Sequence, residues 1–191
     1  MIPKILEQVK ESGHQVFLHG NYNINIVGVR SKSRECNSFD DKLYVAYKID
    51  GVWEVKEYEI TTDAGAYWLE HPSRPEGTAI LCAGQYRSTY ILDKHAGKYT
   101  ALCQRNGKVK VYRDNNKDKV LDLDPSTIQE GYFGINIHRA TAYGESGTVE
   151  KWSAGCQVFK SSDDFDEFIE LCKKSASFYG NLFTYTLLEE K

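Results

Sequence analysis

The sequence predicts a mainly β chain of the α+β kind, with one helix near each end. Three observations predict it. Alternating apolar and polar residues recur in short runs, most clearly at 42–49 (KLYVAYKI) and 52–60, on either side of Asp50-Gly51. That dipeptide favours the left-handed turn that joins two antiparallel strands. Tyrosine is abundant, with 13 residues against a single methionine, and tyrosine suits pleated, half-buried surfaces. Helical spacing is confined to Ile5, Leu6 and Val9 near the start and to Phe165, Phe168, Ile169 and Cys172 near the end.

In chain order, 2–12 reads as a short amphipathic helix stopped by Gly13. Residues 15–30 read as one or two strands around Gly20-Asn21. A polar turn at 31–41 leads into the Asp50-Gly51 hairpin. TTDAG at 61–65 turns the chain, and 66–75 reads as an irregular connection carrying Tyr67, Trp68 and His71. Short strands are expected at 77–82 and 99–104, with His95 in a turn before the second. Asn106-Gly107 reads as another hairpin, joining 101–105 to 108–113. The acidic stretch after it has Asp114, Asn116 and Asp118 at calcium-loop spacing. Lys119 stands where that loop needs glycine, so a solvated turn is expected. Ser161 or Ser162 caps the last helix, with Asp163 and Asp164 suiting its first turn. A strand at 182–188 closes the chain. The count is eight to ten strands.

Composition excludes several function classes. The 191 residues carry a formal charge of -3, without the clustered basic face that a nucleic-acid partner requires. No run approaches a membrane span. The N-terminal stretch lacks a signal-peptide pattern, because Lys4, Glu7, Gln8 and Lys10 break its apolar run. Five cysteines with no C-x-x-C spacing argue against a zinc knuckle or a regular disulfide framework. Cys82, Cys103 and Cys172 lie in apolar contexts and read as structural.

Residues 131–159 (GYFGINIHRATAYGESGTVEKWSAGCQVF) stand apart. A β-rich run, Tyr132, Phe133, Ile135 and Ile137, ends in His138, where a strand should hold the imidazole and a loop should leave it open. After a polar connection the chain reads Ser153-Ala154-Gly155-Cys156. A thiol becomes a useful nucleophile when a base or cation activates it and backbone donors hold the oxyanion it creates. His138 offers the first, and the amides of Ala154, Gly155 and Cys156 the second. Glycine before Cys156 removes a Cβ where a substrate carbonyl must approach. A bare Cys/His pair is as compatible with a strand-end histidine and a buried small thiol.

The order His138, a gap, then Ser153-Ala154-Gly155-Cys156 resembles the signature of the L,D-transpeptidase (YkuD-type) catalytic domain, and GINIH resembles that family's strand before the histidine. The resemblance covers about 20 residues closely, with weaker similarity across 60–159. It implies a β-sandwich-like fold, Cys156 as nucleophile, His138 as base, and Ser153 and Gly155 as the flanking turn. It further implies acyl transfer on peptidoglycan stem peptides without metal or cofactor. Two positions depart from the family: Ala154 stands where a second histidine is usual, and Val158 where an arginine is usual. Arg139, Tyr86, Arg87 and Trp152 are then candidate substrate contacts, with Ser153 orienting His138 or the turn.

The expected organisation is one domain over 1–191, a helix and hairpin extension at 1–60 preceding a catalytic core at 61–191. Without an export signal, the expected setting is a bacterial cell wall reached from a phage particle or through lysis. A catalytic Cys156 is expected to alkylate at lower pH than Cys82 or Cys103. Two other readings stay open: a wall- or glycan-binding module with its chemistry lost, and a cysteine hydrolase acting on a non-wall amide.

Overall fold

The computed structural model describes residues 1–191. Helix α1 (Lys4–Glu11) leads into β1 (Asn25–Arg30), β2 (Asp41–Ile49) and β3 (Val52–Thr61). A short helix α2 (Ala66–Glu70) follows, then β4 (Thr78–Leu81), β5 (Gly84–His95), β6 (Tyr99–Gln104), β7 (Val109–Asp114), β8 (Gln129–Gly131), β9 (Ile137–Arg139) and β10 (Gln157–Phe159). Helix α3 (Ser162–Tyr179) and β11 (Phe183–Glu189) complete the chain.

Eight strands close a barrel in the order β1-β11-β5-β6-β9-β10-β3-β2, and β4, β7 and β8 form a separate small sheet. The mainly β expectation holds, but the architecture is a closed barrel beside a small sheet rather than a clear sandwich. Two pairings, β1 with β11 and β9 with β10, are parallel. The barrel is pinned weakly at one place, where β6 meets β9 through the single pair Leu102 and Ile137.

Alternation explains which face each strand buries. Ile26, Leu43, Val45, Tyr58 and Ile60 enter a core of 26 buried residues. Ala79 and Leu81 of β4 and Phe165, Phe168 and Cys172 of α3 enter the same core, so the small sheet and the last helix are fastened to the barrel. Val27, Ala46 and Leu188 form a second apolar patch, covered by Ile5, Leu6 and Val9 of α1. Strands β1–β3 therefore supply three of the eight staves, and a boundary at residue 60 would cut a continuous sheet.

The Asp50-Gly51 hairpin forms as expected, with φ of 49° and 84° at its two turn residues. Asn106-Gly107 is not a hairpin. Strand β6 pairs in the barrel and β7 in the small sheet, so these residues carry the chain from one sheet to the other. The hairpin in this region is β5–β6, turning at Ala96-Gly97 with φ of 48° and 71°. Most of 15–24 is irregular, 66–70 is helical, and His95 ends a strand instead of lying in a turn. Ser161 caps α3 by accepting the Asp164 N–H. No helix is long and apolar enough to cross a membrane.

Candidate functional site

Parallel pairing of β9 with β10 sets the site. Gln157 lies beside Ile137, Val158 beside His138 and Phe159 beside Arg139. Ile137 and Phe159 belong to the core. One residue before these strands, Cys156 lies beside Asn136, whose carbonyl accepts the Gln157 N–H at 2.9 Å. Cys156 and His138 are thus diagonal neighbours across the parallel pair, Cys156 standing one residue before β10.

The ring of His138 is tightly held. Its Nδ1 lies 2.8 Å from the carbonyl of Arg139 and 3.4 Å from the Tyr99 hydroxyl. That hydroxyl itself donates to the Arg139 carbonyl at 3.3 Å. With Nδ1–H donating to Arg139, Nε2 keeps a free lone pair as the ring's proton acceptor. The Arg139 guanidinium lies 4.5 Å over the Tyr99 ring. His95 stacks on His138 with ring centroids 4.1 Å apart.

Cys156 Sγ is tucked against the 134–136 backbone. It accepts the Asn136 N–H at 3.4 Å and donates to the Gly134 carbonyl at 3.4 Å. The thiol is therefore covered, although the residue as a whole is half-buried. Burial pushes it up to about 11, against the opposing Asn136 N–H and with help from Cys103. Burial and then His95 push His138 down to about 3, partly offset by the Arg139 carbonyl. The expected activated pair is thus a resting pair of neutral groups, and His138 is buried rather than open to a loop. Alkylation of Cys156 in the free protein is accordingly expected to be slow at pH 7. It should quicken roughly tenfold per unit toward the thiol value, with no plateau near neutrality. Site-resolved mass spectrometry across a pH series checks this.

The turn residues do other work than expected. Ser153 is fully buried; its hydroxyl donates to the Cys156 carbonyl at 2.8 Å and accepts the Gly155 N–H at 3.2 Å. It shapes the turn and makes no contact with His138. Gly155 has φ of +115°, and a Cβ there would overlap the Ala79 carbonyl oxygen of β4. Close packing, not substrate access, demands the glycine. The N–H groups of Ala154 and Cys156 have no protein acceptor, so they are the free donors of the turn.

Of the candidate contacts, Tyr86 is a core residue: it is buried and donates its hydroxyl to the Cys82 carbonyl at 2.6 Å. Arg87, next along β5, is exposed, as is Trp152 beside the turn. Arg139 lines a cleft of about 340 Å³ together with Tyr99, Phe165, Asp166 and Lys173. Neither His138 nor Cys156 lines it; Tyr99, whose hydroxyl lies 3.4 Å from His138 Nδ1, links the cleft to the imidazole. The largest cavity, about 810 Å³, lies between α1 and the end of β11 and shares no residue with the site. Sequence reasoning missed Asn136 and Tyr99, and it put His95, which does approach the site, in a turn rather than at the end of a strand. The signal for Asn136 was its position two residues before His138, on the same strand face.

No family model, curated protein or solved structure matches the chain. Fold and site together define a closed, mainly β barrel with a thiol and an imidazole on neighbouring parallel strands.

Proposed function

We propose that the protein is a cysteine-dependent acyltransferase of the L,D-transpeptidase kind, or a related L,D-peptidase, acting on peptidoglycan stem peptides at the bacterial cell wall. The observation that supports this reading is the parallel register of His138 with Val158, which makes Cys156 a diagonal neighbour of His138, together with an imidazole whose Nε2 is left as acceptor. The reading rests on the site and the resemblance; the barrel departs from the sandwich that the resemblance implies.

The thiol first leaves the Gly134 carbonyl, and its proton passes to Nε2 of His138. Sγ then bonds to the carbonyl carbon of the substrate amide, and the Ala154 and Cys156 N–H groups hold the oxyanion. Collapse breaks the C–N bond as His138 returns the proton to the leaving amine, giving a thioester on Cys156. An amine resolves it by transpeptidation or water by hydrolysis, in either case losing a proton to His138. Arg139 and Lys173 share one cleft, where a substrate carboxylate would compete for them with Asp166 and with Glu170, already paired to Lys173 at 2.6 Å.

A second reading has a specific observation in its favour. The covered, high-titrating thiol suits a wall-binding module whose chemistry is lost, with exposed Trp152, Tyr132 and Tyr143 offering aromatic faces to sugar rings. Incubation with defined muropeptides, followed by mass spectrometry, separates the two. The wild-type chain is expected to give cleaved or cross-linked product and a thioester adduct on Cys156, and Cys156→Ala to give neither while keeping its fold. Product formation by Cys156→Ala at the wild-type rate would reject the nucleophile; binding without turnover in both chains would favour the module.

A further inference from the structure

The site holds a second imidazole, delivered by a strand that the thiol motif does not include. His95 closes β5, lies half-buried, and stacks on His138 at 4.1 Å with only 22° between the ring planes. Its protonation is set by Asn136. The Asn136 Oδ1 accepts the Gln104 N–H at 2.9 Å, which turns the amide nitrogen toward His95. That nitrogen lies 3.1 Å from His95 Nδ1. An amide nitrogen only donates, so Nδ1 must accept and the neutral ring carries its proton on Nε2. Protonating Nδ1 would set two donors against each other.

We propose that His95 is a positioning residue of the thiol site: locked neutral by Asn136, its flat ring reserves for His138 the proton that Cys156 gives up. This rests on the reading of Cys156 as nucleophile and His138 as acceptor. A charged His95 would oppose the imidazolium formed during attack, whereas a neutral ring stacked on His138 holds it in place without that opposition. The surroundings of His95 agree: burial first, then Arg105 and Lys98, disfavour a cation there, Tyr99 packs 5.6 Å away, and His138 lies beneath. Asn136 also binds the thiol through its backbone N–H, so one residue fixes both the sulfur and the capping ring.

Nitrogen-15 NMR of the whole chain tests the lock directly. His95 is expected to show the Nε2–H form and to titrate below the ordinary histidine range; an Nδ1–H form, or ordinary titration, overturns the proposal. Asn136→Asp keeps the acceptor for Gln104 but faces His95 with a carboxylate, which favours a proton on Nδ1. With stem peptide, that variant is expected to lose about tenfold in kcat at pH 6 with KM unchanged, and to recover as pH rises. His95→Ala should lose about as much at every pH, and His95→Phe, which restores a flat neutral ring, should regain most of it. Wild-type kcat and pH profile in Asn136→Asp and His95→Ala would reject the role of His95 alone. Absence of wild-type turnover would instead reject the parent reading, and the NMR result decides the lock in either case.

Discussion

An Arg30→Leu chain is expected to lose about 3–5 kcal/mol of stability, the range for removing one partner of a buried ionic group. Arg30 is completely buried. Its Nε lies 2.9 Å from Asp63 Oδ1, and its two terminal nitrogens donate to Glu189, to the Thr62 carbonyl and to the Leu81 carbonyl. Asp41 accepts from the Ser31 and Thr62 backbone N–H groups and from the Thr62 hydroxyl. These contacts join β1, β2, β11, the chain after β3 and the end of β4, so the guanidinium ties barrel to small sheet. Burial works against its charge, and Asp63, Glu189 and Asp41 outweigh that. Without the arginine, two carboxylates are left in the interior. Burial already pushes Asp41 up to about 7, with Asp63 adding to the rise, and it raises Asp63 itself against the pull of Arg30. The sign follows. A carboxyl whose folded value exceeds its unfolded one binds protons preferentially when folded, so stability is gained as pH falls from about 7 toward the ordinary carboxylate range. The variant's deficit should therefore be larger at pH 8 than at pH 5, and Asp63→Asn should restore part of it. Urea unfolding at the two pH values measures both effects; a deficit independent of pH would refute the account.

How much of this was legible in the sequence depends on how local its cause is. The Asp50-Gly51 hairpin is local chemistry: two adjacent residues that tolerate positive φ. The cap at Ser161 is local in the same way. Asn106-Gly107 carries the same signal but serves another end. A Cβ at Gly107 would crowd the Thr89 hydroxyl, at 2.6 Å, so this glycine answers to a neighbouring strand as the chain changes sheets. Barrel closure was not legible, because β1 finds β11 across almost the whole chain, and β6 meets β9 through one pair. In the site, the motif gave the two side chains and their order. It could not give the Gly134 carbonyl on the thiol, the Arg139 carbonyl on the imidazole, or the arrival of His95 and Tyr99 from the β5–β6 hairpin. Those depend on backbone groups and on strands distant in sequence, which residue identity alone does not encode.

Gly155→Ala is expected to be the most damaging small change in the thiol turn, and Gly134→Ala shows why. Both glycines sit at positive φ, +115° and +71°, so both substitutions carry backbone strain of order 1–3 kcal/mol. At Gly134 the added methyl meets nothing within 4 Å, and strain is the whole cost. At Gly155 it would overlap the carbonyl oxygen of Ala79, and Ile135 Cδ1 lies 3.4 Å away. Ala79 and Ile135 are both in the main core, so neither is free to retreat. The turn must yield instead. It is held by the Ser153 hydroxyl between the Gly155 N–H and the Cys156 carbonyl, and by the Gly65 N–H on the Ser153 carbonyl at 2.9 Å. Displacing it draws Sγ away from Gly134 and Asn136. Gly155→Ala should therefore lose at least about 2 kcal/mol more than Gly134→Ala, since overpacking of this kind adds roughly 1–3 kcal/mol to the strain. Its Cys156 should also alkylate faster than the wild-type thiol at pH 7, because a thiol released from cover titrates nearer its ordinary value. Equal stability of the two variants would show that the turn moves freely against β4, and unchanged alkylation would show that the thiol's cover does not depend on that packing.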